Sequence, residues 1–239
     1  MKFKIHHYSS LTSTQDKAKE LSIKDKGNII VISDKQTEGK GRFNRKWFSS
    51  KDSLTMSLLL RPKKIRNMQY LTFIAVIAVV KAIKSISKLD TKIKWPNDVH
   101  HNGKKLCGIL TKGTFGKENY VIVGIGLNVN QGKFPVSIKN TATSLKILKN
   151  KNFSIKKISD LIIKEFFILY EKYYIKNDLD KIIELWKKHC DTLGKKVTVT
   201  TKKGKLEGKA IDVDKTCSLI LKSKNKLIKV IEGDIKIRY

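Results

Sequence analysis

Hydrophobic and polar positions along the chain fall into short alternating or β-branched runs separated by longer helical periods. Residues 2–8 alternate and read as a strand, and the β-branched run at 28–33 reads as a buried one. Between them Thr12 and Gln15 stand three apart, a capping-box spacing that opens a helix to about residue 23. Residues 35–51 show no period and read as a long loop. A strand at 54–60 precedes a helix at 67–88 that is apolar on nearly every side in its middle, and so buried on most faces. A short strand at 91–95 stops at Pro96. Strands at 98–101 and 104–114 flank Asn102-Gly103, a two-residue hairpin signal. An apolar strand at 120–130 and helices at 158–174 and 179–189 follow.

The pattern changes after residue 192. Strands at 196–200, 206–213, 218–222, 227–231 and 235–237, with turns such as Lys203-Gly204 and Asp214-Lys215, predict a small β-barrel. The fold class expected is α+β, with residues 1–192 as one unit of strands and helices and residues 193–239 as a small β-barrel docked on it. No internal repeat or helix-turn-helix is readable.

Composition changes this picture only slightly. The net charge of +30 fits a polyanion partner, but the lysines run along the whole chain rather than gathering in one arm. Cys107, Cys190 and Cys217 are far apart, form no CxxC pair and are odd in number, which fits a reduced interior. The start carries no apolar signal core, and the most apolar run, 70–80, is short for a membrane span. A cytoplasmic location without membrane attachment is expected.

Four constellations could carry chemistry. The segment from Gln36 to Trp47 holds Gly39 and Gly41, which permit close backbone approach to a ligand. It adds Lys40, Arg42 and Arg45 as fixed positive charge and Trp47 as a stacking face. These suit a nucleotide phosphate, although the Walker A spacing is absent. Lys94-Trp95-Pro96-Asn97-Asp98 presents Asn97 and Asp98 at a strand end. Lys105 opens an apolar strand containing Cys107, read as a core thiol, and Gly108, read as a point of close approach. Gly124-Ile125-Gly126-Leu127-Asn128 lacks the third glycine of a dinucleotide fingerprint and suits a flat ligand lying on a strand. The His6-His7 and His100-His101 pairs point to opposite strand faces, a poor arrangement for one metal.

In this order the segments resemble the catalytic domain of biotin–protein ligases. Ser13-Thr14-Gln15 is similar to the family's Ser-Thr-Asn, and Gly39–Arg42 followed by Trp47 to its Gly-Arg-Gly-Arg loop. Lys94–Asp98 is identical to its Lys-Trp-Pro-Asn-Asp, and residues 105–110 match its Lys–hydrophobic–x–Gly–Ile–Leu strand. Gly124–Asn128 and Ala142-Thr143-Ser144-Leu145 complete the match, and residues 194–239 resemble the family's C-terminal barrel. Lys40, Asn44 and Gln15 depart from the pattern, standing for arginine, glycine and asparagine. Lysine at 40 loses a bidentate fork, which loosens hold on an adenylate, whereas asparagine tolerates positive φ.

The resemblance implies the biotin-lipoate ligase fold, a mixed β-sheet packed on helices like that of class II aminoacyl-tRNA synthetases, with an SH3-like C-terminal barrel. It implies biotin and ATP as substrates, Mg2+ carried on the phosphates without a dedicated protein cage, and a carboxylase biotin-carrier domain as partner. Lys105 would bridge the biotin carboxylate and the α-phosphate, with Arg42 and Lys40 on phosphate and loop, and Asp98 would orient or deprotonate the acceptor amine. Biotin would lie against Gly108, Gly124 and Gly126, with Ser13, Thr14 and Gln36 on its ureido group and Gly39 and Lys40 beside it. Arg45, Trp47, Asn97 and Asn128 would face the nucleotide. A lipoate–protein ligase shares the wider fold, but the KWPND segment and the short barrel favour biotin. A basic nucleic-acid-binding protein is the reading from another class, and it leaves the glycine pairs and Lys105 unexplained. A homodimer through an exposed sheet stays open.

Overall fold

The computed structural model describes residues 2–116, 118–202, 204–224 and 226–237. Two sheets organise them. The first is mixed, in the order β1-β2-β3-β7-β6-β5-β4. Its strands are β1 (Phe3–Tyr8), β2 (Asn28–Ser33), β3 (Ser53–Leu60), β4 (Lys92–Lys94), β5 (Asp98–His101), β6 (Lys104–Thr114) and β7 (Tyr120–Asn128). β1 and β2 are parallel, and every other pairing is antiparallel. The β5–β6 hairpin turns at Asn102 and Gly103 with φ of 48° and 76°, the doubly positive turn its sequence calls for.

Parity divides the central strands between two cores. Leu54, Met56, Leu58 and Leu60 of β3 face the same core as Val121, Val123, Ile125 and Leu127 of β7. That core is filled by α2 (Gln69–Ser87), buried along most of its length, and by α4 (Ile155–Leu169) and α5 (Leu179–His189). α2 is long and apolar enough to cross a membrane by composition, but 78% of its apolar window is buried inside the fold. On the opposite face α1 (Thr14–Lys24) covers a smaller core of Ala18, Ile29, Val31, Leu59, Tyr120 and Ile122.

Three local expectations are corrected. The N-cap of α1 is Ser13, not Thr12; its side chain accepts from the Asp16 N–H at 3.4 Å. Gln15 therefore turns inward to the Leu110 carbonyl at 2.6 Å instead of closing a capping box. The helix expected at 158–174 starts earlier and ends in a π-turn, Tyr170–Ile175, where Phe166, Tyr170 and Tyr174 stack four residues apart. A short α3 (Leu145–Lys149), capped by Ser144, was not expected.

The second sheet runs β11-β10-β9-β8-β12, all antiparallel. Its strands are β8 (Lys196–Thr201), β9 (Gly204–Val213), β10 (Leu219–Ser223), β11 (Lys226–Val230) and β12 (Asp234–Ile237). The turn expected at Lys203-Gly204 includes Lys203, which lies outside the described residues. One face of all five strands is buried, through residues such as Val199, Ala210, Leu221, Val230 and Ile235, and joins the main core. Docking is direct: Trp95 Nε1 donates to the Cys217 carbonyl at 3.0 Å, and Tyr70 Oη donates to that of Lys215 at 2.5 Å.

Candidate active site

The face of the first sheet that carries α1 changes character part-way along the strands. Leu59 and Ile122 pair across β3 and β7 and pack under α1. The next residues on that face are Ser57 opposite Gly124, Thr55 opposite Gly126 and Ser53 opposite Asn128. Across β6 and β7, Leu110 stands opposite Gly124 and Gly108 opposite Gly126. Large apolar side chains thus give way to small and polar ones, and a ledge opens beside the first turn of α1. A cavity of about 240 Å³ lies there, lined among others by Ser13, Thr14, Gln36, Lys40, Arg42, Lys105 and Asp98.

The 35–51 loop closes the cavity as a narrow, irregular hairpin. Trp47 N donates to Gly39 O and Gly41 N to Arg45 O, both at 2.7 Å. Phe43 and Asn44 at its tip have φ of 54° and 58°. Asparagine accepts this region and phenylalanine does so at a cost of order 1–3 kcal/mol, so the tip is held under strain. The hairpin sets the Trp47 indole over the ledge. A Cβ on Gly126 would stand 2.5 Å from Trp47 Cε2, and one on Gly108 would stand 3.2 Å from its Cζ3.

Cations converge on this space. Lys105 Nζ is 2.6 Å from Asp98 Oδ1 and 5.6 Å from the Trp47 ring centroid. Arg42 Nη1 donates to Asn97 Oδ1 at 3.1 Å and to the Gly233 carbonyl at 3.2 Å. Burial lowers the Arg42 pKa from its ordinary value, while Asp234 and Asp98 oppose the shift. Arg45 pairs with Asp234, and Lys40 Nζ pairs with Asp16 at 2.5 Å. The main chain of Lys105 is itself clamped: its N–H donates to Thr141 O at 2.7 Å, and its carbonyl accepts from Thr143 N at 2.9 Å. Four positive groups are therefore pre-oriented around one cavity, an arrangement that stabilises negative charge brought into it. Among the described residues no group of three or more His, Cys, Asp or Glu could hold a metal. Asp98 and Asp234 are the carboxylates on the cavity wall, enough for an ion carried mainly by phosphates.

The model of the Biotin/lipoate A/B protein ligase family matches residues 8–130. The chain belongs to this family. A second model, the biotin protein ligase C terminal domain, matches residues 192–238. Among members of the ligase family, the bifunctional ligase/repressor BirA of Bacillus subtilis is 34% identical over 97% of this chain and 73% of its own length. The biotin–[acetyl-CoA-carboxylase] ligase of Mycobacterium tuberculosis is 26% identical over 91% of this chain and 82% of its own. The biotin protein ligase of Aquifex aeolicus, solved in complex with biotin and ATP, superposes with a TM-score of 0.87 at 28% identity and covers 98% of both chains.

Of the site residues expected from the sequence, all but Gly39 line the cavity. Gly39 instead lies against the Trp47 main chain, where a Cβ would stand 2.5 Å from the Trp47 carbonyl oxygen; its smallness builds the hairpin rather than a ligand contact. Two residues expected on the nucleotide line the cavity and also hold protein partners. Asn97 Nδ2 donates to Ile109 O at 2.7 Å and its Oδ1 accepts from Arg42, so it positions that guanidinium. Asn128 Nδ2 donates to Thr143 O at 3.0 Å and its Oδ1 accepts from Gln131 Nε2, tying β7 to the segment that clamps Lys105. Gly108 and Gly126 face the Trp47 indole, and Gly124 faces the Gln15 side chain. Sequence reasoning missed Gly233 and Asp234, about 190 positions from the arginines they meet. Lys94, behind Asp98 in the same segment, is not among the cavity-lining residues; burial lowers its pKa while nearby Asp98 opposes the shift. Cys107 is fully buried, and burial pushes its thiol up, as a core thiol requires.

Proposed function

We propose that this chain is a biotin–protein ligase that makes biotinyl-5′-AMP from biotin and ATP and transfers biotin to a lysine of a carrier domain. The observation that carries the reading is the meeting of Lys105 and Arg42 at one cavity whose floor is a ledge of small residues. Family membership and the likeness to a ligase solved with biotin and ATP support it. The match to the biotin protein ligase C terminal domain favours biotin over lipoate.

In the first step a carboxylate oxygen of biotin attacks the α-phosphorus of ATP, and pyrophosphate leaves. Both reactants are anions. Lys105 answers this repulsion by exchanging its contact with Asp98 for one shared by the carboxylate and the α-phosphate. Arg42, held by Asn97 and Gly233, keeps its remaining donors for phosphate oxygens. Lys40 and Arg45 steady the loop and screen the leaving pyrophosphate. Magnesium bound with ATP would neutralise phosphate charge, with Asp98 and Asp234 as its available protein oxygens. Trp47 excludes water that would hydrolyse the anhydride. In the second step the carrier amine attacks the acyl carbonyl and AMP leaves. Asp98, released by Lys105, accepts a proton from that amine.

Relatives named biotin–[acetyl-CoA-carboxylase] ligase support a carboxylase carrier domain as acceptor. We assign residues 1–192 to the catalytic unit and 193–239 to the docked barrel. Isothermal titration with biotin and with lipoate, each alongside ATP, tests the substrate. Binding of biotin at least about 100-fold tighter is expected, and equal binding or a preference for lipoate rejects the reading.

A further inference from the structure

Lysines run along the whole chain, but strand pairing locks three of them into one row on the outer face of the barrel. Lys196 of β8 stands opposite Lys209 of β9, and Lys209 stands opposite Lys222 of β10. All three are exposed, while their chain neighbours Val197, Ala210 and Leu221 are buried, so the three stems leave the same side of the sheet. Neighbouring strands lie about 4.8 Å apart. Like charges thus face each other directly at two successive strand pairs, which is destabilising in itself. The acids of the barrel are engaged elsewhere. Asp212 pairs with Lys187 of α5, Asp214 with Lys229, Glu232 with Lys202 and Asp234 with Arg45. Glu207 accepts from the Thr198 hydroxyl at 3.2 Å. Among the described residues, no carboxylate pairs with Lys196, Lys209 or Lys222.

We infer that this row is a second binding surface, which takes the phosphate backbone of double-helical nucleic acid. None of its lysines lines the ligase cavity, so the surface is separate from that site. A polyanion turns the repulsion within the row into attraction, and each ammonium that meets a phosphate releases a condensed counterion. Lysine is a point charge on a flexible stem, so the row holds phosphates without reading sequence. Residues 193–237 contain no aromatic side chain. Unpaired bases would therefore find no stacking platform on the barrel, which favours a duplex over a single strand. Leu227, opposite Lys222 and 69% exposed, is the one apolar residue at the end of the row. That is too little for the apolar, aromatic-rich core of a protein interface.

The test is anisotropy of a labelled, mixed-sequence DNA duplex of about 20 base pairs, titrated with the full chain across a salt series. The wild type is expected to bind, with log K falling linearly against log salt. Changing Lys196→Gln, Lys209→Gln and Lys222→Gln together is expected to reduce that slope by about 2–3 and to weaken binding at about 0.1 M salt at least tenfold. A control carries Lys19→Gln, Lys63→Gln and Lys64→Gln, which remove the same charge from exposed positions on other elements. It is expected to keep most of the slope. Equal losses in the two variants reduce the effect to net charge and overturn the inference, as does a wild type that does not bind. Tighter binding of a single strand or of polyglutamate than of the duplex also overturns it. Relief of repulsion predicts that the row variant melts at or above the wild-type temperature in low salt. A lower temperature assigns the three lysines to the fold instead. The yield of biotinyl-AMP is expected to be equal in the wild type and the row variant, and a loss would overturn the separation of the two sites.

Discussion

At the scale of single residues, the site is built from charges that are already matched before substrate arrives. Lys105 rests on Asp98, Arg45 on Asp234 and Lys40 on Asp16. Such pairs hold the partly exposed cations in place beside the cavity, and a phosphate can replace a carboxylate at each. Arg42 differs, since its partners Asn97 and Gly233 are neutral. Its charge is therefore the one most available to an incoming anion. Arg42→Gly is expected to form the adenylate but release it at least about tenfold faster, as followed by retention of labelled adenylate on the protein. A release rate equal to the parent's would remove Arg42 from the loop's function. Gly126→Ala tests the ledge: its Cβ would stand 2.5 Å from Trp47 Cε2. The indole must move, so a red shift of tryptophan emission is expected in the free variant, and an unshifted spectrum contradicts the packing described.

At the scale of elements, periodicity marks what is locally determined. The turn residues Asn102 and Gly103 place the β5–β6 hairpin, and the strands at 28–33 and 98–101 coincide with the expected ones. The π-turn at Tyr170 widens the helix locally while the apolar spacing of its rings still fits a 3.6-residue period, so the pattern does not reveal it. The true cap of α1 depends on the extended φ of Ser13, which a run of Thr12, Ser13 and Thr14 does not decide. The site was legible as residue types, and its partners were not: Gly233 and Asp234 reach the arginines only through the docking of the barrel. The protein partners of Asn97 and Asn128 were equally illegible, since a strand-end amide looks the same whether or not it also holds protein. The 141–144 segment shows how an element serves chemistry from a distance. Ser144 caps α3 by accepting from Ile147 N at 3.1 Å and donates to Gln131 O at 2.5 Å, while its neighbours clamp Lys105. Ser144→Ala is expected to cost about 1–2 kcal/mol of stability, measured by urea denaturation, and to lower adenylation in step. Full stability in that variant would contradict the clamp.

At the scale of the molecule, the barrel, the hairpin and the central sheet share one set of polar seams. His100 lies in one of them, 4% exposed and 3.3 Å from Asp191 in the segment that enters the barrel. Burial lowers its pKa from 6.5, with Asp191 opposing, and burial lowers that of His189 as well. The folded chain therefore binds protons less readily than the unfolded chain. Stability is complete above about pH 6.5 and falls as the pH drops from there toward the folded values. A second loss follows in acid. Burial alone would raise Asp214, but Lys229, Thr216 and Ser218 bring its pKa from 3.8 down to about 2. Its stabilisation of the β9–β10 turn disappears across that interval. Thermal melts against pH are expected to show both steps, with His100→Gln flattening the upper one; an unchanged upper step in that variant excludes His100 as its source.

The central claim is that Lys105, converging with the loop arginines on one cavity, drives attack of a carboxylate on a phosphate. Incubation with biotin, ATP and magnesium, followed by mass spectrometry, tests it directly. Biotinyl-AMP is expected from the wild type, and at least about tenfold less from Lys105→Ala. Absence of biotinyl-AMP from the wild type, or an equal yield from the variant, would contradict the account.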